Sequence, residues 1–279
     1  MMRAMLTIAR LTVHEAIRRR VLVAELGCGG AFLILFGVGF HFVVLDTPQK
    51  GLADVVKART TFAIFTIVGL YAANFLTVMT AVLLPVDTLS GEISSGVMQT
   101  IASKPIRRSS IVLGKWLGFA ALMGGYLLLL AGGVVTIAKL RSGVLPPDLH
   151  IGLPLMVLEA VLLLSVSIAG GTRFSTVTTG VVAFGLYGLA FLGGWVEQIA
   201  TFTGNETLRT IGTVASLIMP SESMWQLAAS HMQPPVVRAL GAGPFSFGVI
   251  PSAAMVWRAA GYVVVMVAVA LRQFAKRPL

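Results

Sequence analysis

Six stretches of this chain are long and apolar enough to fix its solvent: residues 21–45, 61–85, 111–138, 153–170, 177–196 and 252–271. A helix rises about 1.5 Å per residue and the hydrocarbon core of a bilayer is about 30 Å thick, so about 17–25 mostly apolar residues cross it. Each stretch falls near that length, and in lipid such a run satisfies its backbone as a helix. The expected fold is therefore an all-α integral membrane protein with six transmembrane helices. Composition agrees, with 56% hydrophobic and only 11% charged residues, where soluble domains carry about 25% charge. The run around 127–130 is the plainest, and the sixth stretch carries Arg258 within it. The first is too long for a cleaved signal sequence and lacks a small-residue cleavage site. The single cysteine, Cys28, excludes an internal disulfide.

Charge gives orientation. The net charge is +10, but the basic residues cluster at the ends of apolar runs and form no patch interleaved with aromatics. That pattern excludes nucleic acid as a partner and points to the lipid bilayer. With the N-terminus in the cytoplasm, thirteen of the 21 Lys and Arg lie on the cytoplasmic side and eight on the other. The positive-inside rule then places both termini and residues 87–110 in the cytoplasm of a cell (inner) membrane, and 46–60, 139–152 and 197–251 outside. Residues 1–20 read as an amphipathic interfacial helix. Met2, Met5, Leu6, Ala9, Val13, Ala16 and Ile17 share one face, while Arg3, Thr7, Arg10, His14 and Arg18 share another. Within it, 14-HEAIR-18 has Arg18 where a zinc-protease helix needs its second histidine, which excludes that chemistry.

The polar segment 85-PVDTLSGEISSGVMQTIASKPIRRSSIVLGKW-116 interrupts this apolar chain. Asp87, Ser90, Glu92, Ser94 and Ser95 flank Ile93, Val97, Met98 and Ile101, whose spacing gives one apolar face. The spacing predicts a short cytoplasmic helix over 87–104. Pro105 ends it, and Arg107, Arg108 and Lys115 anchor the third span at the headgroups. Segment 197–251 is mixed and proline-bearing, and its apolar pieces, such as 214-VASLIMP-220, are too short to cross. Surface or partly re-entrant helices on the outer side are expected there.

The residues Glu92, Gly96, Pro105, Arg108, Gly114 and Lys115, in that order, resemble the cytoplasmic loop of ABC-2 type permeases, the membrane subunits of ATP-binding-cassette exporters. The interfacial helix, the six spans and the proline-bearing segment 217-LIMPSESMW-225 match the same layout. The pattern looks most like the subgroup that includes the permease of nitrous-oxide-reductase maturation. The resemblance implies a single transmembrane domain over 1–279 that pairs with a second permease subunit, as homo- or heterodimer. It also implies a coupling helix bearing Asp87, Glu92, Gly96, Val97 and Ile101, docked in a groove of a separate ATPase subunit.

The residues themselves agree that the energy source lies elsewhere. Lys115 follows Gly114, but Trp116 stands where a phosphate-binding loop needs Ser or Thr for magnesium. No catalytic triad, paired-carboxylate motif or zinc spacing is present in the sequence, and no cofactor is expected. A self-powered secondary carrier is the rival from another class, and it needs ionisable residues at mid-membrane. A membrane-embedded enzyme needs a polar constellation at one depth, which His14, His41, His150 and His231 are too scattered to supply. A role in metalloenzyme cofactor maturation stays open through Met219, Met224, His231 and Met232, soft ligands on the outer segment. Glu159 and Arg258 each lie about 9 Å in from the outer end of their span. A charge at that depth is costly unless paired, so the two are expected as an ion pair or as lining of a shared outer pathway.

Overall fold

An apolar run surrounded by lipid has one way to satisfy its backbone without closing a barrel, and every long run here takes it. The computed structural model describes residues 2–18, 20–47, 51–94, 107–235 and 251–276. Among these are nine helices and no strand: α1 (Met2–Arg18), α2 (Arg20–Asp46), α3 (Leu52–Ser94), α4 (Arg108–Ser142), α5 (Leu149–Gly171), α6 (Thr176–Thr203), α7 (Glu206–Ile218), α8 (Ser221–Met232) and α9 (Ala254–Lys276). Six of them, α2, α3, α4, α5, α6 and α9, are long and apolar enough to cross a membrane. The expected all-α architecture is what folds.

Helix α5 lies at the centre. It is apolar on all sides, as a fully enclosed helix must be, and α3, α4, α6, α8 and α9 pack around it. Of its apolar stretch 67% is buried, against 17% for α2 and for α9. Those two therefore form the periphery, with Ile34, Leu35, Trp257 and Val264 facing outward. Helix α2 is held to α3 by stacked phenylalanines. Phe36 and Phe65 lie 5.9 Å apart by ring centroid, and Phe40 and Phe62 lie 6.0 Å apart.

Two polar contacts tie the last turns of α9 to the start of α4 and to the end of α5. Arg108 donates to the carbonyl of Ala275 at 3.2 Å, and Thr172 donates to Gln273 at 2.8 Å. Helix α1 lies on the same end of α4, where Gly114 and Gly118 leave room for it. The docked face differs from the expected one. Ile8 and Thr12 meet the glycines of α4, and Ala16 is buried, whereas Met2, Leu6 and Ile17 stay exposed beside Arg3, Arg10 and Arg18. The sequence pattern merges two apolar faces because small residues that touch protein and large ones left outside sit side by side on the helix.

On the opposite face the chain turns back into the bundle. Gly204 adopts φ 66°, a left-handed conformation that favours glycine, and ends α6. Asn205 then caps α7, its Oδ1 accepting from the backbone N–H groups of Thr207 and Leu208 at 3.0 and 3.3 Å. Helix α7 descends along α6 until Ala215 meets Gly193, where a Cβ would stand 2.3 Å away. That contact lies about 15 Å back along α6 from its end, at about 1.5 Å per residue. Helix α8 returns toward the far face, buried at every residue but His231, and its Met232 packs on Gly152 of α5. This segment is thus a pair of helices folded back against the bundle. Its methionines Met219, Met224 and Met232 are fully enclosed in the core rather than presented outside.

The second span departs most from expectation. Helix α3 starts at Leu52 and continues through Pro85 to Ser94, so the first part of the expected 87–104 helix is the end of the span itself. Proline removes one backbone bond and crowds the preceding turn, but buried helices tolerate this when neighbours supply polar partners. Ser167 of α5 donates to the carbonyl of Val82, in the turn that Pro85 disturbs, at 3.4 Å. Residues 95–104 lie outside the described residues.

The fit of α1 on α4 is open to a direct test. A Cβ on Gly118 would stand 2.8 Å from the carbonyl oxygen of Ala9 and 2.9 Å from Cβ of Thr12, whereas one on Gly124 meets nothing within 4 Å. Gly118→Ala is expected to destabilise by about 1–3 kcal/mol through overpacking, and Gly124→Ala to be neutral or stabilising. Thermal unfolding in lipid nanodiscs checks the contrast, and equal effects at the two sites would refute the docking described.

Candidate functional site

The sequence singles out one group of residues at the face that gathers the chain's ends. Asp87 and Glu92 ride on the terminal turns of α3, while Gly96, Val97 and Ile101 lie outside the described residues. Arg107 occupies the N-cap position of α4 and Arg108 its first turn, tied to α9 through Ala275. Lys115, expected among headgroups, is instead 3% exposed within the protein. The reason is local: α1 lies on the adjacent Gly114, and the neighbouring Trp116 reaches into α5 to donate to Ser165 at 2.9 Å.

A second group lies deep in the bundle, where α3, α5, α6 and α8 meet. Glu159 of α5 is completely buried, and Asn74 of α3 is 2% exposed. The amide Nδ2 of Asn74 donates to Oε2 of Glu159 at 2.9 Å. Glu222 of α8 lies within electrostatic range of Glu159 and packs, with Gln226, against Gly194 of α6. Burial pushes the Glu222 carboxyl up to about 8, and the hydrogen bond from Gln226 offsets part of that rise. Aromatic rings wall the group. Tyr71 of α3 meets Trp225 of α8 at 5.1 Å, and Tyr187 of α6 meets Phe75 at 6.4 Å.

The expected ion pair between Glu159 and Arg258 does not form, because each finds a nearer partner. Glu159 points inward to Asn74. Arg258 reaches the carbonyl of Leu217 in the last turn of α7 and also contacts the sulfur of Met255. A guanidinium at a helix C-terminus meets the negative end of the dipole, so α7 holds this charge without a carboxylate. Sequence reading missed Asn74, Glu222 and Gln226. The signal for Asn74 was a lone amide midway along an apolar run, which needs a partner in the membrane interior. Glu222 carried no such signal, because its segment is too short to cross and read as outer surface.

Fold and site together define a polytopic membrane protein: six apolar helices long enough to cross, a pair of short helices folded back against them, and in α3 a helix longer than one crossing needs. The buried cluster is built from the carboxyls of Glu159 and Glu222, the amides of Asn74 and Gln226, and the rings of Tyr71, Trp225 and Tyr187. Residues 6–279 match the family described as ABC-2 family transporter protein, and the chain belongs to that family. It is therefore a membrane permease of an ATP-binding-cassette transporter, and membership implies an ATP-binding partner. The match is to the family as a whole and gives no support to the nitrous-oxide-reductase subgroup. Among curated proteins none matches the chain.

Two outcomes follow from this geometry. With separate partners, Glu159→Gln and Arg258→Gln should add in a double-mutant cycle to within about 0.5 kcal/mol, while Asn74→Leu and Glu159→Leu should not. Stability should also depend on pH through Glu222. Its folded value lies above the ordinary 4.5, so its contribution is full below that value. It is lost as pH rises to about 8. Thermal unfolding across this window should show stability falling with pH, and Glu222→Gln should flatten the fall.

Proposed function

We propose that this chain is the permease of an exporter, pairing with a second permease subunit and driven by separate ATPase subunits. Both of its termini then lie in the cytoplasm. The observation that carries the reading is the length of α3. Its 43 residues extend about 65 Å at about 1.5 Å per residue, against a hydrocarbon core of about 30 Å. The apolar run ends at Val86, before Asp87, and residues 87–94 continue the same helix beyond Pro85. A subunit that grips this end acts directly on α3, through the turn at Pro85.

In this reading Asp87, Glu92, Gly96, Val97 and Ile101 make the contact with the ATPase, the carboxylates at its rim and the aliphatic side chains in its groove. Arg107 and Arg108 hold the start of α4 beside it, and the tie from Arg108 to Ala275 brings α9 into the same unit. The exposed arginines of α1 on this face support a cytoplasmic setting, since cations concentrate there. A self-powered carrier would draw on the carboxyls of Glu159 and Glu222, but family membership, which implies an ATP-binding partner, favours the ATP-driven reading. A role in metal-cofactor maturation loses its best ligands, because Met219, Met224 and Met232 are enclosed as apolar filler.

Co-purification from membranes in mild detergent should recover an ATPase subunit whose hydrolysis the permease stimulates. Losing one charged contact at such an interface costs about 2–5 kcal/mol. Glu92→Gln and Val97→Asp should therefore insert and fold normally but lose stimulation by about tenfold or more. Wild-type stimulation in both would refute the contact. Labelling of Ser103→Cys from the outer face, in a Cys28→Ser background, would refute the orientation.

A further inference from the structure

The contact between Asn74 and Glu159 is half of a familiar pairing. An amide and a carboxylic acid can join through two parallel hydrogen bonds, N–H to carboxyl oxygen and O–H to amide oxygen. The first is present, from Nδ2 of Asn74 to Oε2 of Glu159 at 2.9 Å. The two atoms that would make the second, Oε1 of Glu159 and Oδ1 of Asn74, are both buried and both lack a hydrogen-bond partner. Both are acceptors when Glu159 is ionised, and two buried acceptors left without donors are costly. Protonation of Oε1 would turn one of these two acceptors into a donor.

The surroundings favour that hydrogen. From α8 comes Glu222, a second carboxyl. From α3 and α6 come Tyr71 and Tyr187, which bring no positive charge. Helix α9 supplies no cation either, since Arg258 is engaged at the carbonyl of Leu217, and α4 sends no charged group to the cluster. No Lys, Arg or His among the described residues pairs with Glu159. An ionised carboxylate here would be enclosed beside a second carboxyl with no counter-charge, an arrangement that buried sites avoid.

We propose that Glu159 is a proton-binding site. It holds a proton on Oε1, donated to Oδ1 of Asn74, and the resulting cyclic acid–amide pair locks α5 to α3. The ligand is a proton from water, which adds to Oε1 without any other bond forming or breaking. Its loss leaves a carboxylate that keeps only the Nδ2 contact and faces Oδ1 with repulsion. Helix α3 would then be freed to shift on α5. The assignment stands on its own and does not depend on how an ATPase contacts the end of α3.

The test uses the chemistry of glutamine. Glu159→Gln supplies an amide N–H in place of the acid O–H and leaves the cyclic pair complete, whereas Glu159→Leu and Asn74→Leu each destroy it. Infrared spectra of the full chain in lipid nanodiscs at neutral pH should show a protonated carboxylic acid band that Glu159→Gln removes. The band lost in Glu222→Gln should be a separate one. The thermal midpoint of Glu159→Gln should match the wild type, and both leucine variants should fall below it. A Glu159→Gln chain that is destabilised like Glu159→Leu, or a spectrum in which Glu159→Gln removes no acid band, would overturn the proposal. Sodium chloride replacing choline chloride at constant pH should leave the band intact. Its disappearance would assign the site to a metal cation instead.

Discussion

Everything in this fold follows from the enclosure of α5, a helix with no polar face and no face left open. A helix of that kind gains nothing from water and little from lipid over protein, so its place is fixed by packing and by the few hydrogen bonds it can make. Five helices surround it, and the polar atoms that it and its C-cap Thr172 carry sort by partner. Ser165 accepts from Trp116, Ser167 donates to Val82, Thr172 donates to Gln273, and Glu159 accepts from Asn74. These four contacts reach α4, α3, α9 and α3 again. They specify which face of α5 meets which neighbour, where apolar packing alone would permit rotation.

The same enclosure explains the pair of short helices folded back against the bundle. Six spans leave a gap on the far side of α5, beside Gly152 and opposite Gly194 of α6. Helix α8 fills it with Met232 and with Glu222 and Gln226. A segment of only 12 residues cannot cross a bilayer of about 30 Å, but it can line a span that does. Its polar residues are tolerable because they meet other polar groups, and its backbone is satisfied as helix. Helix α7 forms the lipid-side partner of that insertion, with Ile211, Val214, Leu217 and Ile218 exposed.

Span number, the helical class and the presence of an N-terminal amphipathic helix were legible in the sequence, because each rests on composition and period within one segment. The path through Pro85 was not. The helix runs on through Pro85 beside a hydroxyl of Ser167, which lies far away in the chain. The docked face of α1 was legible only in part, since alanine and threonine touching glycine look like any small residues until α4 is placed beside them. The partner of Glu159 was misread for a related reason. Depth along a span can be counted from sequence, but azimuth cannot, and Asn74 and Arg258 differ in azimuth. Of the residues expected at the coupling contact, Asp87 and Glu92 fall on α3, while Gly96, Val97 and Ile101 lie outside the described residues.

One helix joins the two groups of interest. Asn74, which touches Glu159 in the buried cluster, and Glu92, at the end that leaves the lipid, are both on α3. They are separated by about 27 Å of helix at about 1.5 Å per residue, with Pro85 between them. A helix bends most easily at proline, where one backbone bond is missing. A force applied beyond Val86 would therefore act first on the turn at Val82 to Pro85, where the Ser167 contact is long at 3.4 Å. It would act next on the shorter bond between Asn74 and Glu159, at 2.9 Å. The Pro85 turn and the bond between Asn74 and Glu159 therefore stand in series on one helix, between its far end and the centre of the bundle.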